Sequence, residues 1–220
     1  MNTIIQTADG SNTIFNDFIG ENYHSKHGAL QESKHVFIEA GLKHAMKNLD
    51  HISILEVGFG TGLNFLLSMD CAEAVEKKLD FTSLEAYPLP IEIIEKTAYQ
   101  QYFSDEIWGS FLSTYSLAFA SKQQLSQNCS LSIVSEKLQA FVTNQRFDLI
   151  YYDAFSVQHQ PEMWTDELID KVCSFLKTGG IFVTYAITGN LKRALKRNGL
   201  TIEKLPGAPG KREMLRGIKV

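Results

Sequence analysis

The sequence has few cysteines and no arrangement of them that would build a disulfide framework or a zinc site. Its 220 residues contain three cysteines, Cys71, Cys129 and Cys173, which are far apart and never form a Cys-x-x-Cys pair. This pattern is typical of free thiols in a reducing compartment. We therefore expect a cytoplasmic protein without a metal site.

Long apolar runs and an excess of positive charge are also missing. No stretch reaches the roughly 18 apolar residues of a membrane span, and the first 20 residues carry no Lys or Arg ahead of an apolar segment. We expect no membrane association and no secretory leader. The formal net charge of -4 argues against a protein whose main task is non-specific binding of nucleic acid.

The charge is unevenly distributed along the chain. Nine of the 21 basic residues follow position 191, where Glu203 and Glu213 are the acidic residues, so this tail carries +7 and the preceding body carries −11. A basic tail on an acidic body predicts a localised anion-binding surface. Solvated helix and strand faces are the alternative explanation.

From residue 28 onward, apolar spacing alternates between the periods of a strand and a helix. Continuous apolar strands such as 147–152 are typical of a sheet covered on both faces. The predicted strands are 53–57, 79–85, 130–134, 147–152, 181–185, 200–205 and 214–220. The predicted helices are about 18 residues from Ala29, then 63–77, 91–99, 136–142, 165–176 and 190–196. The pattern predicts an α/β fold with a doubly wound, mostly parallel sheet and one reversed strand at its edge.

The N-terminal segment has a different pattern. Two short β-type segments, 3–7 and 13–17, flank Asp9-Gly10-Ser11, which is a hairpin turn signal. We expect residues 1–27 to form an N-terminal hairpin appendage and residues 28–220 to form one domain.

The strongest local signal is a predicted strand that runs into a glycine turn and then a helix, in LEVGFGTGLNF from Leu55 to Phe65. Glycines let the backbone approach a ligand closely, and a helix N-terminus offers free N–H groups. The dinucleotide fingerprint needs a third glycine where this chain has Leu63. Glu56 beside the turn would repel a diphosphate but suits a cationic amino acid group, so a nicotinamide dehydrogenase is disfavoured.

Two more carboxylates follow predicted strands. Glu85 lies 23 residues after Gly62, where nucleotide-binding sheets place an acid that accepts hydrogen bonds from ribose hydroxyls. Asp153 follows the most apolar strand, at the sheet edge where ligands bind. Apolar surroundings would raise the pKa of Asp153 and make it a better base. A surface carboxylate at Glu85 and a loop cap at Asp153 are the structural alternatives.

Five segments occur in an order that resembles the MnmC-like methyltransferase family, and together they span nearly the whole chain. These segments are Tyr23–Ser33 (YHSKHGALQES), Leu55–Phe65, Ser83–Leu89 (SLEAYPL), Asp153–Phe155 with Pro161–Trp164, and Pro206–Gly207 with Lys211–Met214. The resemblance implies a class I, Rossmann-like methyltransferase fold that uses S-adenosylmethionine.

The resemblance also implies a substrate. The family methylates 5-aminomethyl(-2-thio)uridine at the tRNA anticodon wobble position, giving the 5-methylaminomethyl form. Bifunctional members carry a flavin-dependent oxidase domain that prepares the aminomethyl group. We expect this chain to act as the stand-alone form, with an independent source of its substrate. Many class I members place an Asp near the adenine where this chain has Val134-Ser135-Glu136, so the adenine contact stays unassigned.

The resemblance and the residue chemistry together assign roles to three sets of side chains. Asp153 is the predicted catalytic residue, which orients the substrate ammonium and accepts its proton. The cofactor-binding residues are expected to be Tyr23, His24, Ser25, Glu56, Gly58, Phe59, Gly60, Gly62, Asn64, Glu85 and Asp153. The substrate and tRNA contacts are expected to be Phe155, Trp164, Lys211 and Arg212. Trp164 would stack on a base or, equally, pack beneath its loop.

Two other functions are compatible with these residues. An aminopropyltransferase similar to spermidine synthase shares the fold and the glycine turn, but it needs further acids to hold a polyamine, and Asp153 is followed by Ala154 and Phe155. A non-catalytic module that binds S-adenosylmethionine or tRNA is the third possibility. The presence of Glu56, Glu85 and Asp153 together favours the methyltransferase.

Overall fold

The computed structural model describes residues 2–220, in which eleven strands form two sheets. The strands are β1 (Asn2–Gln6), β2 (Asn12–Asn16), β3 (Glu21–Asn22), β4 (His51–Val57), β5 (Lys78–Leu84), β6 (Gln123–Gln124), β7 (Cys129–Val134), β8 (Phe147–Tyr152), β9 (Leu176–Thr184), β10 (Leu200–Pro206) and β11 (Glu213–Lys219). The helices are α1 (Ala29–Ser33), α2 (Lys43–Ala45), α3 (Leu63–Glu73), α4 (Ile91–Glu95), α5 (Asp105–Thr114), α6 (Asp166–Ser174) and α7 (Gly189–Arg197). A π-helical segment, Lys34–Leu42, joins α1 to α2.

The large sheet has eight strands in the order β10-β11-β9-β8-β4-β5-β7-β6. Strands β9, β8, β4, β5 and β7 are parallel to one another, which confirms the predicted doubly wound, mostly parallel sheet. The predicted reversed strand is β11, but it lies between β9 and β10 rather than at the edge. The crossover through α7 leaves a gap beside β9, and β11 fills it by pairing with both neighbours. The two-residue strand β6 is also antiparallel, at the opposite edge.

Both faces of the large sheet are buried. In β4, Ile52 and Ile54 pack into the hydrophobic cluster that includes the π-helical segment and α3, whereas Leu55 and Val57 pack into the cluster under α6 and α7. A strand covered on both sides needs apolar residues at successive positions. This explains the successive buried apolar positions of β4 and β8.

The N-terminal segment forms a three-stranded antiparallel sheet, β1-β2-β3. The sequence analysis predicted only the first two of these strands. This sheet shares the core of the rest of the chain, because Ile14 is fully buried in the same cluster as α3. The Tyr99 hydroxyl also donates to the carbonyl of Asn12 at 3.0 Å. The division at residue 27 stays a prediction.

Two predicted features of the middle of the chain differ from the structure. The predicted helix at 136–142 is a loop whose Leu138 and Phe141 are buried, and this apolar spacing is what resembled a helix. The segment 102–128, in which no motif was predicted, contains α5. Its first turn carries a sequence signal, because the Ser104 hydroxyl accepts from the Ile107 amide and two acidic residues follow.

Candidate active site

A cavity of about 670 Å³ opens at the carboxyl ends of the central parallel strands. Its floor and one adjoining wall are formed by residues that follow four strands: Gly58 after β4, Glu85 after β5, Glu136–Gln139 beyond β7, and Asp153 after β8. The opposite wall comes from the N-terminal sheet. Ligands of open α/β sheets bind at this edge, and the volume suits a small organic molecule.

The glycine turn passes close to other backbone and ring atoms. A Cβ on Gly58, whose φ is +94°, would lie 2.7 Å from the carbonyl oxygen of Asp153, and one on Gly60 would lie 2.8 Å from the Tyr23 ring. Gly62, with φ +76°, precedes α3. The Phe59 ring packs against Phe65, Phe111 and Tyr115 in the core. Phe59 is thus a core anchor for the turn.

Glu85 lies where the sequence places it, at the end of β5 and on the cavity wall. Its two carboxylate oxygens accept hydrogen bonds of 2.9 Å from the backbone N–H groups of Gly60 and Tyr87. Burial raises the pKa of Glu85, and these hydrogen bonds oppose that effect. Each oxygen keeps further acceptor capacity, so the carboxylate can accept hydroxyl donors from a ligand.

Glu56 lies beneath the glycine turn rather than on the cavity wall. It is fully buried and accepts hydrogen bonds from the Asn64 amide at 3.0 Å and the Ser83 hydroxyl at 2.8 Å. Burial and, secondarily, the charge of Asp153 raise its pKa well above the usual range. The direct contact of Glu56 with a cationic amino acid group stays a prediction. In the structure, the Asn64 side chain links Glu56 to Asp153.

Asp153 is half-buried on the cavity wall, next to the glycine turn. Its carboxylate accepts a 2.8 Å hydrogen bond from the Asn64 side chain. Burial, followed by the nearby charge of Glu32, raises the pKa of Asp153 to about 7, against the opposing influence of Asn64 and Lys211. A carboxylate with that pKa can exchange protons near neutral pH.

Two acidic residues that sequence reasoning missed, Glu21 and Glu32, also line the cavity. Glu21 accepts from the Ser156 amide at 2.8 Å. Glu32 is buried and accepts from the Ser25 amide at 2.9 Å. The one sequence signal for Glu32 is its place in the segment from Tyr23 to Ser33. With Asp153, these residues make this wall strongly acidic.

Lys211 points into the cavity and not towards an exposed RNA surface. Its ammonium lies 2.5 Å from a carboxylate oxygen of Glu32 and 3.7 Å from the centre of the Tyr185 ring. The phosphate contact of Lys211 stays a prediction, and in the structure its ammonium is paired with Glu32 inside the cavity. Arg212, the next residue, is exposed.

The predicted segment Tyr23-His24-Ser25 does reach the cavity. The Tyr23 ring packs edge-on against Phe155 with centroids 5.0 Å apart. The His24 imidazole is buried beside the Thr13 hydroxyl at 3.3 Å, and burial lowers its pKa to about 4. With this pKa, the His24 imidazole is neutral near pH 7 and only weakly basic.

Trp164 is placed differently from its predicted stacking role. Its side chain is buried, its ring packs on Tyr152 with centroids 5.0 Å apart, and its indole N–H donates to the Phe155 carbonyl at 2.7 Å. The structural alternative, an aromatic packed beneath the loop, is the one that this geometry supports. Phe155 itself lines the cavity.

These residues suit a ligand that combines a nucleoside with a cationic group. The Glu85 carboxylate can accept hydrogen bonds from hydroxyl groups, and the acidic wall favours a positive charge. Lys26, Lys137 and Lys211 also line the cavity, and the ammonium of Lys211 is paired with Glu32. The donor set therefore fits S-adenosylmethionine, which carries a ribose, an ammonium and a sulfonium. Across residues 2–220, no cluster of three or more His, Cys, Asp or Glu side chains is arranged to hold a metal ion. In the same range, no helix is long and apolar enough to cross a membrane.

Curated relatives align along most of the chain. The chain is 29% identical over 223 residues to the tRNA 5-methylaminomethyl-2-thiouridine biosynthesis bifunctional protein MnmC of Polaromonas naphthalenivorans, covering 96% of the chain and 34% of that protein. It is 30% identical over 222 residues to the protein of the same name from Paracidovorax citrulli, covering 92% and 33%. The chain thus spans about a third of the length of these relatives.

Solved structures with a similar fold and a family profile both agree with the cofactor that the cavity residues suit. The structure of MnmC2 from Aquifex aeolicus superposes with a TM-score of 0.76 at 24% identity, covering 99% of this chain and 70% of that one. DesVI from Streptomyces venezuelae superposes with a TM-score of 0.52 at 13% identity, covering 87% and 92%. These matches establish the class I methyltransferase fold. A family profile described as S-adenosyl-L-methionine-dependent methyltransferase matches residues 102–220. With the cofactor-compatible cavity, this match establishes that the chain belongs to the S-adenosyl-L-methionine-dependent methyltransferase family.

Proposed function

We propose that this methyltransferase acts on tRNA, methylating the amine of 5-aminomethyl(-2-thio)uridine at the anticodon wobble position to give the 5-methylaminomethyl form. The observation that carries this proposal is the half-buried Asp153 carboxylate on an acidic cavity wall, next to the glycine turn. The names of the curated relatives supply the substrate class. We also propose a cytoplasmic location, which a tRNA substrate favours.

An amine substrate explains why the cavity needs a carboxylate with a raised pKa. A primary alkylamine has a pKa near that of lysine, about 10.4, so it is an unreactive ammonium at neutral pH. Transfer of its proton to Asp153, whose pKa is about 7, crosses a pKa gap of about 3. An ordinary aspartate at about 3.9 would leave a gap of about 6.5, which is about 4 to 5 kcal/mol less favourable. The raised pKa thus makes Asp153 a competent base.

The chain's own residues bind, orient and deprotonate the amine. Asp153 accepts one proton from the ammonium, Glu21 and Glu32 favour the entry of a cation, and Asn64 orients the Asp153 carboxylate. When bound, S-adenosylmethionine supplies a methyl group activated by a sulfonium. The transfer would form a nitrogen–carbon bond and break a sulfur–carbon bond, with a neutral thioether as the leaving group and a secondary ammonium as the product. The enzyme's contribution is alignment and removal of that proton.

We assign the cofactor to the floor of the cavity. The backbone around Gly58 and Gly60 would hold its amino acid end, and Glu85 would accept the ribose hydroxyls. Tyr23 and Ser25 lie above this region. The loop at 136–139 is the proposed neighbour of the adenine, because it lines the cavity beyond β7.

The RNA side of the cavity has an exposed aromatic residue that the sequence analysis did not select. Phe18 is 94% exposed and lies on the cavity rim. Its turn is held by the Asn16 side-chain oxygen, which accepts from the Phe18 and Ile19 amides at 3.0 and 3.1 Å. Proteins bind single-stranded loops by stacking unpaired bases on such rings. We assign base stacking to Phe18 in place of Trp164, with Phe155 on the cavity wall and Arg212 as a phosphate contact.

The test is methylation of tRNA that carries the unmethylated nucleoside. Purified protein, S-adenosylmethionine and tRNA from cells lacking the gene should yield the 5-methylaminomethyl nucleoside, measured by nucleoside mass spectrometry. Transfer of an aminopropyl group to putrescine from the decarboxylated cofactor, without tRNA methylation, would instead establish the spermidine-synthase-like activity. Cofactor binding without turnover on tRNA would identify a non-catalytic module.

A further inference from the structure

The basic tail divides into paired and unpaired cations. Three of its basic side chains are held by carboxylates: Arg197 by Asp166 and Asp170, Lys211 by Glu32, and Arg216 by Glu203. The Lys219 ammonium donates to two backbone carbonyls, those of Cys173 and Leu176. These four side chains already have partners within the protein, so we do not assign them to the anion-binding surface that the sequence predicts.

Three of the cations without an ion pair cluster on one helix. Across residues 2–220, no ion pair involves Lys192, Arg193 or Lys196. All three lie on α7, whose Leu191, Ala194 and Leu195 face the core. Arg193 and Lys196 are exposed and Lys192 is half-buried. Placing the apolar residues inward leaves the positive charges together on the outward face.

These side chains border a groove between α7 and β10. The groove is lined by Gly189, Lys192, Arg193, Lys196, Ile202 and Lys204. No carboxylate is among these residues, and Lys204 makes only a long contact of 3.9 Å to Glu213, with both side chains more than a third exposed. Exposed ion pairs of this kind contribute little to stability, so the Lys204 ammonium remains available to bind an anion.

The groove begins close to the active-site cavity. Tyr185 lines the cavity and Gly189 lines the groove, so three residues lie between them and the two positions are at most about 14 Å apart. The nine residues of α7 extend the groove by a further length of about 13 Å. A chain that enters the cavity could therefore continue along α7.

We propose that this groove binds the phosphate backbone of the tRNA substrate while its wobble nucleotide occupies the cavity. The inference rests on the proposed function and adds the surface that holds the RNA. Three cations without an ion pair, together with Lys204 and its long contact to Glu213, match a run of phosphates. Contacts of this kind position nucleic acids without reading their sequence. This assignment also explains the uneven charge distribution along the chain. The acidic cavity would bind the amine, and the neighbouring basic groove would bind the negatively charged tRNA that carries it.

The test measures tRNA affinity over a range of salt concentrations. In the double variant Lys192→Gln with Lys196→Gln, we expect tRNA affinity to fall about tenfold and the slope of log K against log salt to become shallower by about 2, or about 1 per lysine. The matched control is Lys47→Gln with Lys78→Gln. These lysines are exposed, next to the amino ends of β4 and β5, and lie outside the cavity lining and the groove. The control should leave both quantities unchanged.

Other readouts separate failure of the inference from failure of the proposed function. S-adenosylmethionine affinity should be the same in all variants, which reports an intact fold, and Lys192→Arg with Lys196→Arg should restore tRNA binding. Wild-type affinity and salt slope in the glutamine variant would overturn the groove assignment even if the wild-type enzyme methylates tRNA. Equal losses in the Lys47 and Lys78 control would also overturn it. Absence of tRNA methylation by the wild type would instead reject the proposed function.

Discussion

The side-chain amide of Asn64 donates a 2.8 Å hydrogen bond to the carboxylate of Asp153. The same nitrogen lies 3.0 Å from a carboxylate oxygen of the buried Glu56, so one amide joins two acids from adjacent strands. This arrangement fixes the orientation of Asp153 at the cavity wall. The glycine turn is thereby linked to the residue that we assign as the base, through a side chain at the start of α3.

Asp153→Asn should abolish most of the methyl transfer while retaining the cofactor. General-base catalysis contributes about 10²- to 10⁴-fold, so we expect a fall in kcat of at least about 100-fold. The affinity for S-adenosylmethionine, measured by calorimetry, should change less than about fivefold, because the substitution alters at most one hydrogen bond to the cofactor. A variant with wild-type kcat would remove Asp153 from the mechanism.

The same substitution should stabilise the folded protein at alkaline pH. The pKa of Asp153 is raised from 3.8 to about 7, so the folded state binds more protons than the unfolded state between these values. Stability from this group is greatest at low pH and is lost as pH rises towards 7. Asp153→Asn removes this loss of stability at high pH. The resulting gain in free energy of unfolding at pH 8 should reach at most about 4 kcal/mol. Urea unfolding should show a smaller gain at pH 5, and a pH-independent difference would contradict the assignment.

Two charge substitutions should move the acidic limb of the pH–rate profile in opposite directions. Lys211 lowers the pKa of Asp153 and Glu32 raises it. If Asp153 must be ionised to accept a proton, Lys211→Met should move the limb of kcat to higher pH and Glu32→Gln should move it to lower pH. Glu39→Gln, at an exposed pair with Lys43 outside the cavity lining, is the control. Shifts of the same sign in both cavity variants would argue against Asp153 as the titrating group.

Gly58→Ala should destabilise the protein more than the same change at Gly179. Both glycines have positive φ, +94° and +77°, but a Cβ on Gly58 would meet the Asp153 carbonyl at 2.7 Å whereas one on Gly179 would meet nothing within 4 Å. The positive φ costs about 1 to 2 kcal/mol for alanine, and the clash adds about 1 to 3 kcal/mol. Chemical denaturation should resolve that difference. Gly58→Ala should also weaken cofactor binding, and equal stabilities of the two variants would refute the close approach.

Phe18→Ala should weaken tRNA binding without altering its salt dependence. Stacking on one base contributes about 1 to 3 kcal/mol, so the affinity should fall at least about fivefold while the slope against salt stays constant. Phe18→Tyr should retain binding because the ring remains. Leu117→Ala, at another exposed apolar position away from the cavity lining, should have no effect. A loss of binding equal to that of Phe18→Ala in the tyrosine variant would exclude stacking.

Much of the fold follows from local patterns. Apolar runs such as Phe147–Tyr152 predict buried parallel strands, and the glycine turn predicts the junction of β4 and α3, because each depends on neighbouring residues. The ends of helices and strands, and the loops between them, are predicted less well from local patterns. Leu138 and Phe141 have helical spacing, yet they anchor a loop by packing into the core under α6. The position of β11 depends on the width of the α7 crossover, which no local pattern encodes.

The sequence by itself determined the class of the molecule and its main chemical groups, since a glycine turn and the carboxylates Glu85 and Asp153 acquire their places from the strands that precede them. Only the tertiary structure decided which side chains meet. Glu32 and Lys211 are 179 positions apart and pair inside the cavity, whereas Glu56 and Trp164 are buried behind its wall. The tertiary structure also divided the basic tail into cations held by carboxylates and cations left on the outer face of α7. Pairing and burial depend on distances between remote segments, and those distances exist only once the sheet has assembled.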